Sequence, residues 1–141
     1  MTAITIVLNE KLKTLDSWRT PNTVCMLSMM LGKEASLACF GPDVKDASGI
    51  LHRGIGNVVL PILLIKAEAM PAFYERVKKA EATNNLYVFD FTEAAQASKQ
   101  YNDYQQKLAQ QKLSDQLILG LAMIGEPKAV RSLCGSLARW Q

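Results

Sequence analysis

Histidine is nearly absent: His52 is the only one in 141 residues. A single imidazole excludes most zinc sites and leaves few ways to assemble a Cys/His or Ser/His/Asp catalytic group. Cysteine is sparse. Cys25, Cys39 and Cys134 form no C-x-x-C pair. An odd count without metal spacing points to reduced thiols in a cytosolic protein. Each stands among apolar neighbours and reads as a small core residue. Charge of one sign is scarce too. The net charge is +3, and lysines and arginines are scattered rather than massed. No basic face of the kind that holds nucleic acid is visible, which disfavours tRNA as a partner. Long apolar runs are missing. "GIGNVVLPILLI", residues 54 to 65, is too short to cross a bilayer and contains Pro61. "AITIVL" near the N-terminus lacks the basic flank of a targeting signal. The glycine spacing of a phosphate loop is also lacking. These absences point to a cytoplasmic protein without a membrane partner, a metal or a cofactor.

What is present reads as an α/β chain. An apolar fraction of 49% with 21% charge is ordinary for a globular protein, and residues 1–141 fit one domain. "AITIVLN" (3–9) is rich in β-branched residues and predicts a buried first strand. A helix follows from Pro21, with Thr20 as its N-cap and Gly32 as its stop. That helix is apolar nearly all round, which predicts burial on both sides. "SLACF" (36–40) suggests a short strand, and "GPDVKDASGILHRGIG" a hairpin with "DASG" at its tip. "NVVLPILLIK" (57–66) reads as a second strong strand, with Pro61 marking an edge or a bulge. Residues 68–85 have helical spacing, and "LYVFDF" (86–91) is a third strand. Thr92 caps a long helix to about Lys112, "QLILGLAMIG" (116–125) is a fourth strand, and Pro127 opens the last helix. Alternation of this kind implies helices on both faces of one sheet.

Candidate sites are few. "DVKDASG" resembles a calcium loop only until its third position, where Lys45 replaces an oxygen ligand, so it reads as a turn. His52 and Arg53 fall in the same excursion and fit either a solvent-facing loop or a ligand-facing one. Asp90 and Thr92 lie where a strand ends and a helix begins, the place where open α/β sheets bind ligands. The same two residues also suit plain helix capping. Lys128 stands at another helix start, where free backbone N–H groups favour an anion.

The strand "ITIVLNEKLK", the helix "PNTVCMLSMMLG", the run "VFDFTEAAQ" and the ending "LILGLAMIGEPKAVRSLCGSL" resemble an uncharacterised bacterial domain-of-unknown-function family. That family is grouped by fold with the type 2 peptidyl-tRNA hydrolases. The resemblance implies a three-layer α/β/α sandwich with a four-stranded mixed sheet, often paired as a homodimer. It also implies hydrolysis of the ester between peptide and tRNA. In those hydrolases a "KGKxAAQxxHA" motif opens the first helix. Here its lysine falls near Trp18, its glutamine near Val24 and its histidine near Leu27. A later "DAGxT" motif survives only as Asp90 with a shifted Thr92. The expected function is therefore a small-ligand-binding module, or an enzyme of unknown substrate. Trp18, Arg19, Asn22 and Lys128 would bind the ligand, with Asp90 and Thr92 as catalytic candidates. The alternative is a peptidyl-tRNA hydrolase-type esterase with an altered site, in which Asp90 moves the proton and Arg19 or Lys13 replaces the lysine.

Overall fold

The computed structural model describes residues 2–141. Its strands are β1 (Ala3–Asn9), β2 (Val44–Lys45), β3 (Leu51–His52), β4 (Ile62–Ile65), β5 (Leu86–Thr92), β6 (Ile118–Gly125) and β7 (Ala138–Arg139). Its helices are α1 (Arg19–Glu34), α2 (Met70–Thr83), α3 (Glu93–Gln96), α4 (Tyr101–Ala109) and α5 (Pro127–Cys134).

The main sheet has the order β5-β6-β1-β4-β7. β1 runs parallel to β4 and antiparallel to β6, so the sheet is mixed. It has five strands where four were expected. The addition is β7, two residues that pair antiparallel with β4 through Leu63↔Arg139 and Leu64↔Ala138. A two-residue strand, "AR", carries too little alternation to announce itself.

Strand alternation splits the core into two layers. On one face Val7, Leu63, Leu121 and Met123 pack with Phe73 and Val77 of α2 and with Val130 and Leu133 of α5. On the other, Ile4, Ile6, Leu8 and Ala122 pack with Leu27 and Leu31 of α1. β6 is buried along nearly its whole length, as its continuous apolar run predicts for a strand covered on both sides. Its register against β5 shifts between Phe91 and Thr92, which places Thr92 opposite Ile118 and leaves Leu119 extra. The bulge turns Leu119 toward α1 although Leu121 faces α2. Gly120 lies beside it, where a Cβ would come within 2.9 Å of Leu27 Cδ1 and 3.0 Å of Leu8 Cδ2. α1 can therefore sit close on the sheet only over a residue without a side chain.

Several local expectations change. α1 begins at Arg19, with Trp18 at the N-cap and no side-chain cap, so Thr20 lies inside the helix. It also continues through Gly32 to Glu34. Only Thr23, Leu27 and Leu31 of α1 are buried; Cys25 is exposed and Met29 is 65% exposed. The helix is apolar nearly all round, yet among the described residues nothing covers Cys25 and Met29. Residues 37–39 form a 3-10 turn rather than a strand. The strand expected over 57–66 contracts to Ile62–Ile65. Pro61 has no N–H to give, and its carbonyl instead accepts from Ile6 N and Thr5 Oγ1. The long helix after Thr92 breaks into α3 and α4. Thr92 caps α3 as expected, accepting from Ala95 N at 3.3 Å. The Ser98 hydroxyl then donates back to Ala94 O at 2.6 Å, offering the backbone an alternative to helix.

The hairpin at residues 44–52 forms as read. Gly49 takes φ +80°, and the Asp46 carboxylate accepts from Ser48 N and Ile50 N. Its base is closed by Gly41 N donating to Ile55 O and Asn57 N donating to Cys39 O.

β5 is an edge strand. Two of its outward amides are nonetheless occupied: Val88 N donates to Glu81 Oε1 at 2.8 Å, and Leu86 N donates to Asn84 O at 2.9 Å. At the far end of β1, Asn9 is only 1% exposed. Its Nδ2 donates to Ile118 O at 2.9 Å, and its Oδ1 accepts from Lys11 N at 2.9 Å.

Candidate functional site

α1 crosses the sheet over β5 and β6, and the chain from α3 into α4 passes on the other side of β5's edge from α1 to leave a gap. The gap is a cleft of about 630 Å³. That volume falls in the range of small-molecule sites. One wall is Met26, Met29, Met30 and Lys33 of α1; the floor is Val88–Phe91 of β5; the far wall runs from Ala95 to Tyr104. Methionine suits such a wall because its thioether is polarizable and its side chain adapts to irregular shapes.

Asp90 is the acidic group of this cleft. Burial, the largest influence, raises its carboxyl above the ordinary value, and Glu81 adds to this. Its own backbone N–H, the Lys78 ammonium and the Tyr74 phenol oppose the rise by favouring the ionised form. Tyr74 in turn is pushed up to about 12, first by its own burial and then by the Asp90 charge. Tyr104 is raised for the same two reasons, and Tyr101 packs edge-on against it with ring centroids 5.5 Å apart. A carboxyl is thus held partly buried beside the phenols of Tyr74 and Tyr104. Such a group can accept a hydrogen bond, pair with a cation, or carry a proton.

A second polar group stands one helical turn away along α1. Arg19 Nη1 meets Glu93 Oε1 at 3.2 Å. Its guanidinium also lies 5.7 Å from the centre of the exposed Trp18 ring. Gln96 Nε2 donates to Arg19 O at 3.1 Å, to Asn22 Oδ1 at 3.1 Å and to Thr23 Oγ1 at 3.3 Å. Arg19 Nε and Gln96 Oε1 are buried without a protein partner. Asn22 and Met26 are four residues apart on α1, so this cluster and the cleft share a helix face.

The structure therefore gathers Trp18, Arg19 and Asn22 around α3, which Thr92 caps from a buried position. Asp90 lies in the adjoining cleft, aligned with Tyr74 of α2 rather than with Arg19. Lys128 is not brought in. β1 and β6 are antiparallel with Ala3 opposite Gly125, so α5 starts at the amino end of β1, whereas α1 follows its carboxyl end. Lys13 lies 5.1 Å from the Trp140 ring. His52 pairs with Asp46 at 3.0 Å in the hairpin. Sequence reasoning missed Glu93, Gln96 and Tyr74 as site residues and assigned Met26, Met30 and Tyr104 to the core. The one available signal was that Gln96 falls four residues after a capping threonine, in the first turns of a helix. Among the described residues no group of three or more His, Cys, Asp or Glu side chains could hold a metal ion. No helix among them is long and apolar enough to cross a membrane.

Comparison with known proteins gives a family without an assigned activity. A solved structure of a protein of unknown function, Atu0240 from Agrobacterium tumefaciens strain C58, superposes with a TM-score of 0.82. It covers 99% of this chain and 98% of its own at 14% identity, a likeness of fold alone. No curated protein matches. Residues 2–141 match the family described as protein of unknown function (DUF2000), and the chain belongs to that family.

Proposed function

We propose that the protein binds a small organic ligand in the cleft beside β5, with Asp90 as its polar anchor. The observation that carries this reading is the position of Asp90. It is a partly buried carboxyl beside Tyr74 and Tyr104, at the sheet edge of a cleft that Tyr101 and the α1 methionines Met26, Met29 and Met30 also line. That setting suits a ligand with an apolar or planar body and one amine or hydroxyl donor. Trp18, Arg19, Asn22 and Gln96 would meet a second polar group at the neighbouring end. The unpartnered Arg19 Nε and Gln96 Oε1 offer it one donor and one acceptor.

This reading takes the chain as a single domain with a scaffold of the type 2 peptidyl-tRNA hydrolase kind. Four long strands in a mixed sheet between helices support it, with β7 as an addition. Hydrolysis of peptidyl-tRNA is the less favoured use of that scaffold. Arg19, the cation in the place of the family's lysine, is engaged by Glu93, and Lys13 lies against Trp140.

The test is a small-molecule screen read by methionine-methyl NMR on the whole chain. Ligands that occupy the cleft should move the Met26 and Met30 methyl signals, and Asp90→Asn should weaken them by at least about tenfold. Binders that leave those methyls unmoved, or that bind Asp90→Asn as tightly as the parent, would refute the placement.

A further inference from the structure

A second cavity, of about 610 Å³, lies on the α5 face of the sheet. Its volume also falls in the range of small-molecule sites. α5 lies over β1 and β6, and the cavity opens beside it toward β4 and β7. Ala3 and Thr5 of β1 and Leu63 of β4 line the sheet side. Pro127, Val130, Arg131 and Cys134 line the helix side. Those four positions are spaced as neighbours on one helical face, so a single stripe of α5 meets the cavity. Val58, Val59 and Pro61, on the approach to β4, and Leu137 and Arg139, at β7, complete it.

Most of this lining is apolar. Burial pushes the Cys134 thiol up to about 12, against a smaller pull from Arg76, so the sulfur is a neutral part of the wall. Thr5 is buried, and its hydroxyl donates to Pro61 O at 3.2 Å. The charge is of one sign: no Asp or Glu lines the cavity, whereas Arg131 and Arg139 both do. Sheet register brings these two together. Arg139 stands opposite Leu63 in the β4–β7 pair, and directly opposed residues of neighbouring strands project to the same face. Leu63 belongs to the same buried cluster as Val130, so Arg139 projects toward the helix that carries Arg131. Of the chain's five arginines, Arg19 and Arg53 hold a carboxylate and Arg76 lies over the Phe73 ring. Among the described residues Arg131 and Arg139 pair with no carboxylate. A guanidinium presents its donors as a planar fork that matches a carboxylate.

We infer that this cavity binds an amphipathic carboxylate, with the hydrocarbon body between α5 and the sheet and the carboxylate at Arg131 and Arg139. Both arginines are exposed, whereas Leu63, Val130 and Cys134 are buried, so depth sorts the polar end of such a ligand from its apolar end. A phosphate head would call for backbone N–H groups, and Pro127, at the start of α5, has none. The cavity shares no lining residue with the cleft at β5, so either proposal can fail without the other.

Decanoate titrated into the full chain and followed by methyl NMR tests it, with decanol as the uncharged control. Decanoate should move the Val59, Val130 and Leu137 methyl signals and leave those of Met26 and Met30 in place. The parent should prefer decanoate to decanol by at least about tenfold, a comparison that needs no variant. The double variant Arg131→Gln with Arg139→Gln should weaken decanoate at least about tenfold and leave decanol unchanged. Both side chains face solvent, so the fold has little reason to object, and circular dichroism should be unaltered. Decanoate that moves none of the three methyls at about 1 mM, or that moves Met26 and Met30 instead, would overturn the inference. So would a double variant that binds decanoate as tightly as the parent, decanol bound as tightly as decanoate, or decyl phosphate bound more tightly than either. Val59 and Val130 signals that shift on dilution of the ligand-free chain would give the cavity to a second copy, and overturn it likewise.

Discussion

Asn9 offers the sharpest check on how the carboxyl end of β1 is built. Its side chain makes two hydrogen bonds of unequal importance. Nδ2 satisfies the carbonyl of Ile118, which lies at the β6 bulge in the buried core. Oδ1 satisfies the amide of Lys11, a residue that is itself exposed. In Asn9→Ala the Lys11 amide can turn to water, but the Ile118 carbonyl loses its side-chain donor in a dry place. An orphaned buried acceptor costs about 1–3 kcal/mol, and a small cavity adds to it, so the expected loss is about 2–4 kcal/mol. For a chain of this size that is roughly 5–15 °C in Tm. Asn9→Asp separates the two bonds. Its carboxylate still accepts from Lys11 N but points lone pairs at the Ile118 carbonyl, so at neutral pH it should be less stable than Asn9→Ala. Burial would raise that carboxyl above its unfolded value. Stability should therefore return as pH falls through the raised value, because the protonated acid regains a donor for Ile118 O. The assay is urea denaturation of the three proteins from neutral to acidic pH. Asn9→Ala within about 0.5 kcal/mol of the parent, or Asn9→Asp with no acid recovery, would refute the account.

Asp90 tests the opposite sign. Burial holds its carboxyl high, so the folded chain takes up a proton there at a pH where the unfolded chain does not, and the ionised group costs stability at neutral pH. Asp90→Asn should raise stability by about 0.5–2 kcal/mol at neutral pH, with the advantage fading as the parent's Asp90 protonates; a Tm series against pH checks this, and a less stable variant at neutral pH contradicts it. Gly120→Ala pushes a methyl group against Leu27, Leu8 and the Val7 carbonyl. It should cost about 1–3 kcal/mol, visible as a lowered urea midpoint, with partial rescue by Leu27→Val, which trims one of the two side chains in the way.

The framework was legible because its signals are local. β1, β5 and β6 carry β-branched and aromatic runs dense enough to fix their type, and Thr92 and Pro127 mark helix starts by chemistry that acts within one turn. What escaped was set by contact with distant residues. α1 reads as buried on both sides because hydrophobicity reports what a side chain prefers, not what covers it, and among the described residues nothing covers Met29 and Cys25. The helix from Thr92 divides because the Ser98 hydroxyl competes for a carbonyl, a choice that propensity averages away. Of the site, Arg19 and Asn22 were found through their place at a helix start. Gln96 and Tyr74 were not, since their partners lie 74 and 16 residues away in sequence.

The amides along β5 have a consequence for how copies of this chain can meet. Glu81 occupies the outward N–H of Val88, and the Asn84 carbonyl occupies that of Leu86. At the opposite border β7 is two residues long. Neither border of the sheet therefore presents a row of open donors on which a neighbouring strand could register, and the sheet stops growing at both sides. Molecules of this protein are steered away from the endless edge-to-edge stacking that leads to fibres. Any pairing must go through side chains, where shape and not backbone repetition sets the number of partners.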